Sequence, residues 1–402
     1  MDELKKIEID DDFLAEVRAR ENEKHYKVYL SKEVLDGNYY GPLYGYYIEN
    51  TSSWNILATD EDKNKFKNID LVGNIVDQEE LVESNHLLVV VRNKKLKTVD
   101  VKYEGFPVKI ESFSFISDTF SRTKGILESS KMLQKKAVIV GCGSGGSFIA
   151  LELAKSGVGN FLLADNDVFG YHNISRHQCG IYDVGKRKVD ALKERILAIN
   201  PYAQVVVFNE MIQKIYEGEL DSFIDNNTII LSCGDNRASA HHCNYLSEKY
   251  NVPFIAAGAG HRASTGEIFY YIPNTNMPCY SCTFGEDLSL DYSNEAQRVW
   301  YSTEEDLEKL TFEPGLATDI DYISIIVCKL AIDLLNRDDI APKVLNFLPQ
   351  YTSICNYMCD KDINPMIQIF QHPLQIKTKG LETMKREGCY LCEKISKLKK
   401  QG

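Results

Sequence analysis

The residues Gly141-Cys142-Gly143-Ser144-Gly145-Gly146 break an apolar run where a tight turn needs positions without a Cβ. Before them, Ala137 to Val140 is short, apolar and rich in β-branched side chains, the pattern of a buried strand. After them, Phe148, Leu151, Leu153 and Ala154 mark the apolar face of a helix that Gly157 and Gly159 stop. A second buried strand begins at Phe161 and ends on Asp165. Strand, glycine turn, helix and acid in this order predict a nucleotide site. Backbone N–H groups and the positive end of the helix dipole hold phosphate at Gly141, Gly143 and Gly146, and Asp165 takes ribose hydroxyls.

Asn173, Arg176 and Lys188 follow Asp165 closely, so they emerge at the carboxyl edge of the same sheet, beside the turn. Two permanent cations and an amide suit a triphosphate better than the single pyrophosphate of NAD. Asp235 follows the apolar strand Thr228 to Leu231 and reaches the same edge. There it is a candidate ligand for Mg²⁺, which takes one or two carboxylates plus substrate phosphates, or the N-cap of the helix it opens. Far along the chain stand two Cys-x-x-Cys pairs, Cys279/Cys282 and Cys389/Cys392. In a chain with eleven cysteines and no secretory signal the four read as a structural Zn²⁺ site, with no position left for catalytic water; unrelated or redox-active thiols are the other reading.

The elements that must carry these groups follow from the pattern. Helix near Asp183 to Ile199, strand Gln204 to Phe208, strand Thr228 to Ser232, helix near Arg237 to Tyr250 and strand Pro253 to Ala257 alternate. The fold class is therefore α/β: a Rossmann-like, mostly parallel sheet with helices on both faces. An antiparallel C-terminal extension is expected from Thr265 to Tyr271 and around Ile367 to Phe370, and Tyr322 to Leu335 reads as a long buried helix. Residues 1–115 form a small N-terminal α/β or α+β domain for substrate or partner recognition, and residues 116–402 the nucleotide-binding domain. In the first, Leu4 to Arg20 reads as an amphipathic helix and Leu87 to Tyr103 as two strands around Asn93-Lys94-Lys95. Its tyrosine-rich stretch Asn38 to Tyr47 suits core packing or a peptide-binding surface.

A net charge of −12 argues against general nucleic-acid or anionic-membrane binding. No segment reaches the ~18 apolar residues of a membrane span, and the acidic start MDELKKIEIDDD is no secretory signal, so a cytoplasmic protein is expected.

Together these residues resemble the ThiF/MoeB superfamily of ubiquitin-activating-like, zinc-containing adenylyltransferases, over about residues 116 to 395. The resemblance implies an ATP loop at Gly141-x-Gly143-x-x-Gly146 and a ribose-binding acid at Asp165. It implies triphosphate contacts at Asn173, Arg176 and Lys188, magnesium on Asp235 and zinc on the four cysteines. Ser121-Arg122 is similar to the short motif whose arginine reaches the partner subunit's active site in homodimers. The implied reaction uses ATP to adenylate the C-terminal carboxylate of a small β-grasp, ubiquitin-like protein, releasing pyrophosphate. Peptide-modifying relatives of the microcin type, which also carry an extra N-terminal domain, are the alternative. The loop after Cys282 holds no cysteine, whereas thioester-forming members commonly keep one there; Cys179 is the first thiol to examine in its place. Two further classes stay open. A nicotinamide-dependent oxidoreductase fits the turn and Asp165 but not the cation pair. A non-catalytic relative would hold nucleotide without exchanging pyrophosphate.

Overall fold

The computed structural model describes residues 26–77, 87–93, 98–234, 236–285, 314–339, 342–378 and 383–401. The chain divides into two compact units, Met1–Arg122 and Thr123–Gly402.

The first unit is built on one eight-stranded sheet in the order β7-β6-β5-β4-β2-β3-β1-β8. The strands are β1 (Lys27–Ser31), β2 (Gly41–Ile48), β3 (Ser53–Thr59), β4 (Asp70–Val76), β5 (Leu88–Asn93), β6 (Thr98–Tyr103), β7 (Phe106–Pro107) and β8 (Lys109–Phe113). The expected pair of strands is the antiparallel β5/β6 ladder, Leu88 opposite Tyr103. Along β5 the alternation buries Leu88, Val90 and Arg92. Arg92 is tolerated there because its guanidinium donates to the carbonyls of Tyr39 and Val34. Tyrosines serve packing first: Tyr26, Tyr47 and Tyr103 surround Trp54 at ring distances of 5.5, 4.8 and 4.6 Å. The helix expected at Leu4 to Arg20 lies outside the described residues.

The second unit carries the alternating segment. Its eight strands are β9 (Lys136–Val140), β10 (Asn160–Ala164), β11 (Gln204–Phe208), β12 (Thr228–Ser232), β13 (Phe254–Ala259), β14 (Thr265–Tyr271), β15 (Tyr351–Cys355) and β16 (Gln375–Lys377). They lie in the order β11-β10-β9-β12-β13-β14-β15-β16. Pairings from β11 to β13 are parallel and those from β13 to β16 antiparallel.

Both faces are covered. Ala137 and Ile139 of β9 pack with the helices Ser144–Lys155, Lys188–Ile199 and Ala317–Leu335 in one cluster. Val138 and Val140, pointing the other way, pack with Glu217–Phe223 and Arg237–Tyr250. Such two-sided burial is why β9 reads as a continuous apolar run without alternation. Each aliphatic side chain so buried contributes roughly 1.5–3 kcal/mol, so the strand ends are held from below by the core.

Register then fixes the site. Ala164, Val140, Ser232 and Ala256 are aligned across β10, β9, β12 and β13. The residues that follow the first three, Asp165, Gly141 and Cys233, therefore leave the sheet side by side at its carboxyl edge, while β13 runs on to Ala259.

One expectation is corrected. Pro365–Ile369 is a 3₁₀ turn and not a strand; the antiparallel extension is made by β15 and β16. The reason is local: the Asn364 side chain accepts the Met366 N–H at 3.1 Å, and Pro365 sits at the first helical position with no N–H to give a ladder.

Candidate functional site

At the glycine turn each glycine has its own geometry. Gly141 has φ +86°, and a Cβ there would lie 2.7 Å from the Gly234 nitrogen, where the ends of β9 and β12 touch. A Cβ on Gly146 would fall 1.9 Å from the Gly141 carbonyl oxygen, so this glycine brings the helix against the strand. A Cβ on Gly143 would meet nothing within 4 Å: that position faces open space. The helix Ser144–Lys155 starts here with no side chain capping its first N–H groups. An uncapped helix start beside open space is a place for an anion.

Asp165 closes the turn. Its Oδ2 accepts the Cys142 N–H at 2.7 Å and its Oδ1 the Asp167 N–H at 2.8 Å, and burial raises its pKa above the usual carboxylate range. The carboxylate thus braces the turn it borders. Asp167, two residues on and more exposed, holds the Lys188 ammonium at 2.7 Å. Lys188 is brought there because its own N–H donates to the Asp167 carbonyl and Val168 bridges to Arg187, closing the segment on itself.

Asn173 turns its Oδ1 to the Gly170 N–H at 2.9 Å and shapes the loop that carries Arg176. His177 follows. Its Nε2 lies 2.8 Å from the Cys142 carbonyl, and its Nδ1 accepts the Cys179 N–H at 3.0 Å.

These groups line one cavity of about 430 Å³: Gly141, Gly143, Asp165, Asp167, Asn173, Arg176 and Lys188 on the β9/β10 side. Gly234, Arg237, Gly258, His261 and Glu267 continue it toward β14. Asp235 lies outside the described residues, while its chain neighbours Gly234 and Asn236 both line the cavity. The cap of the helix Arg237–Tyr250 is Asn236, whose side chain accepts the Ser239 N–H at 3.2 Å. Gly146 packs beneath the lining. Arg122 belongs to the first unit, exposed on the turn Ser121–Thr123.

The four cysteines of the two pairs converge. Their Sγ atoms all lie within 4.8 Å of one another. Contacts of 3.3 to 3.6 Å join Cys279 to Cys282, Cys389 and Cys392, and Cys282 to Cys392. A disulfide needs about 2.05 Å, whereas thiolates ~2.3 Å from one tetrahedral ion stand ~3.8 Å apart. The donor set fits such an ion. The Arg386 N–H donates to Cys282 Sγ at 3.4 Å, a contact suited to a thiolate ligand.

The ThiF family matches residues 119–374. The chain belongs to the ThiF family. Among curated proteins it is 27% identical over 158 residues to the sulfur carrier protein ThiS adenylyltransferase of Escherichia coli K12, covering 39% of this chain and 61% of that one. To ubiquitin-like modifier-activating enzyme 5 of Caenorhabditis elegans it is 28% identical over 170 residues, 39% of this chain and 40% of that one. To the adenylyltransferase and sulfurtransferase uba4 of Aspergillus niger it is 30% identical over 166 residues, covering 40% and 34%. The matches thus span between about a third and three fifths of those relatives. Among solved structures, E. coli MccB with ATP aligns with a TM-score of 0.48 at 20% identity, over 69% of this chain and 75% of that one.

In this ThiF family member two residues escaped the sequence reading, Asp167 on the cavity wall and His177 buried against the glycine turn. Asp167 was visible as the second acid of Asp165-x-Asp167, directly after a buried strand. His177 was hidden because it acts through backbone groups distant in the chain. Cys179 is corrected as a reactive thiol: it is 4% exposed, and burial, with the Asp183 carboxylate adding to it, pushes its pKa up to about 11. Burial likewise pushes Cys233, on the cavity wall, up to about 12.

Proposed function

We propose that this chain uses ATP to adenylate the C-terminal carboxylate of a small ubiquitin-like protein, as an activating enzyme for conjugation or sulfur transfer. The observation that carries the reading is the level carboxyl edge of β10, β9 and β12, where an uncapped helix start, Arg176 and Lys188 line one cavity. Phosphate is favoured at the helix start by N–H groups and dipole. The cation pair then meets the charge that builds on the pyrophosphate as it leaves.

A C-terminal carboxylate, with a pKa near ~3.5, is ionised at neutral pH, so its oxygen attacks the α-phosphorus without a general base. What remains for the protein is in-line positioning and charge compensation. Arg176 and Lys188 supply the second, Lys188 by exchanging Asp167 for a phosphate oxygen. Mg²⁺, on Asp235, would add a further positive charge there. The substrate carboxylate would enter from the β13/β14 side, since the nucleotide residues follow β9 and β10. Zinc on Cys279, Cys282, Cys389 and Cys392 would pin the C-terminal helix Tyr390–Gln401 to the short helix Tyr280–Phe284, a structural role. The first unit is proposed to recognise the substrate, and Arg122 to serve the site of a second copy in a homodimer; a monomer in solution at working concentration contradicts the latter.

The test is exchange of ³²P-pyrophosphate into ATP with Mg²⁺, with and without small β-grasp proteins or peptides encoded near this gene. Exchange dependent on one β-grasp protein supports the reading. Dependence on a peptide would move it to peptide modification, and tight ATP binding without exchange to a binding relative.

A further inference from the structure

Cys142 lies inside the glycine turn, and both its backbone polar groups are held by side chains from other segments. Its N–H goes to Asp165 Oδ2 at 2.7 Å and its carbonyl faces His177 Nε2 at 2.8 Å. The carbonyl can only accept, so Nε2 carries the proton. The Cys179 N–H, 3.0 Å from Nδ1, can only donate, so Nδ1 is bare. Two backbone partners thereby fix one neutral tautomer. The ring is buried, edge-on to Phe169 at 4.9 Å, and the next amide, Gln178 N–H, donates to Ser147 Oγ in the first turn of the helix Ser144–Lys155.

In a trans peptide the C=O and the following N–H point in opposite directions. Turning the Cys142 carbonyl to His177 therefore turns the Gly143 N–H away from it, and Gly143 is one of the turn residues that border the cavity. His177 is also the chain neighbour of Arg176, another cavity residue. We infer that His177 is a positioning residue for nucleotide binding: its imidazole sets the direction of the Gly143 N–H and ties the arginine-bearing segment to the glycine turn. This rests on the nucleotide reading above. Burial holds the ring well below its ordinary pKa of 6.5, at about 4, and the nearby Lys188 cation adds to that against the opposing Asp183 carboxylate. The clamp therefore keeps one tautomer across the physiological range.

The test uses the full chain and the variants H177A and H177Q, folding being checked by thermal melting. Glutamine carries both an amide donor and a carbonyl acceptor; alanine leaves a buried C=O and N–H unpaired. Calorimetry with ATP is expected to give binding at least tenfold weaker in H177A and within about threefold of wild type in H177Q, which is the cost of orphaned buried groups. Long-range ¹H–¹⁵N spectra of the wild type should show His177 as the Nε2–H tautomer from pH 7.5 to 5.5, with or without ATP. Wild-type-like ATP binding by a folded H177A overturns the inference. So does a His177 that titrates near 6.5 or carries its proton on Nδ1. Wild-type protein that binds no ATP overturns the nucleotide reading itself, a different result from either.

Discussion

The Lys188 ammonium donates to the Asp167 carboxylate at 2.7 Å, with the lysine side chain 11% exposed and the aspartate 59%. A half-exposed pair of this kind is worth about 0–1 kcal/mol to stability, so its interest lies in competition. Asp167 occupies the cation that a phosphate would take. Asp167→Asn is therefore expected to leave the melting temperature nearly unchanged and to tighten ATP binding by a few-fold. Lys188→Ala is expected to weaken pyrophosphate exchange by ~10–100-fold, the value of a charge-assisted hydrogen bond. Weaker ATP binding in Asp167→Asn would show instead that the carboxylate orients Lys188.

The two glycines Gly143 and Gly146 should separate ligand binding from folding. A Cβ on Gly146 would collide with the Gly141 carbonyl at 1.9 Å, a clash with backbone that cannot step aside. Gly146→Ala is expected to cost ~1–3 kcal/mol as overpacking does, and to lower the melting temperature. A Cβ on Gly143 meets nothing in the protein, so Gly143→Ala should melt like wild type and still bind ATP more weakly, because the methyl group occupies ligand space. Equal effects of both on stability would show that Gly143 is not at the ligand surface.

How far the sequence reveals this site depends on whether the determining contacts are local. β9, β10, β12 and β14 are legible because two-sided burial writes an apolar run that turn residues bound, and the edge strand β11 because its three valines favour a strand. Gly141, Gly146 and the level of Asp165 follow from the same periodicity. Asp167 and His177 are less legible: one works by pairing a lysine 21 residues on, the other by grasping a carbonyl 35 residues back. The strand expected at Ile367 to Phe370 fails for a comparable reason, since a single Asn364-Pro365 step overrides four residues of β propensity. The ladders of the first unit join strands by β-bulges and mixed pairings, with no motif to announce their order.

Zinc should be a matter of stability and not of chemistry. Cys389 and Cys392 lie at the start of the helix Tyr390–Gln401, and their sulfurs meet those of Cys279 and Cys282. Purified protein is expected to hold about one zinc per chain by mass spectrometry of the metal. Cys389→Ser or chelation should release it and lower the melting temperature while ATP still binds. Loss of ATP binding in step with zinc, in protein that remains folded, would contradict a purely structural site.

Stability should also depend on pH through His177. Its folded-state pKa is depressed from 6.5 to about 4, so between those values the unfolded chain binds the extra proton. Stability then rises with pH across the window, and acidification from 6.5 toward 4 removes it. At 1.36 kcal/mol per pH unit the interval amounts to roughly 3 kcal/mol, an upper figure for one buried ring. Asp165 acts in the opposite sense: its raised pKa contributes stability that is present below 3.8 and lost as pH rises through the folded value. Asp165 is present in both wild type and H177Q, so the difference between their slopes isolates the histidine. Urea unfolding at pH 7.0, 6.0 and 5.0 should therefore show wild type losing stability faster than H177Q, which has no imidazole to protonate. Parallel slopes for the two proteins would mean that the ring is not held neutral in the folded chain.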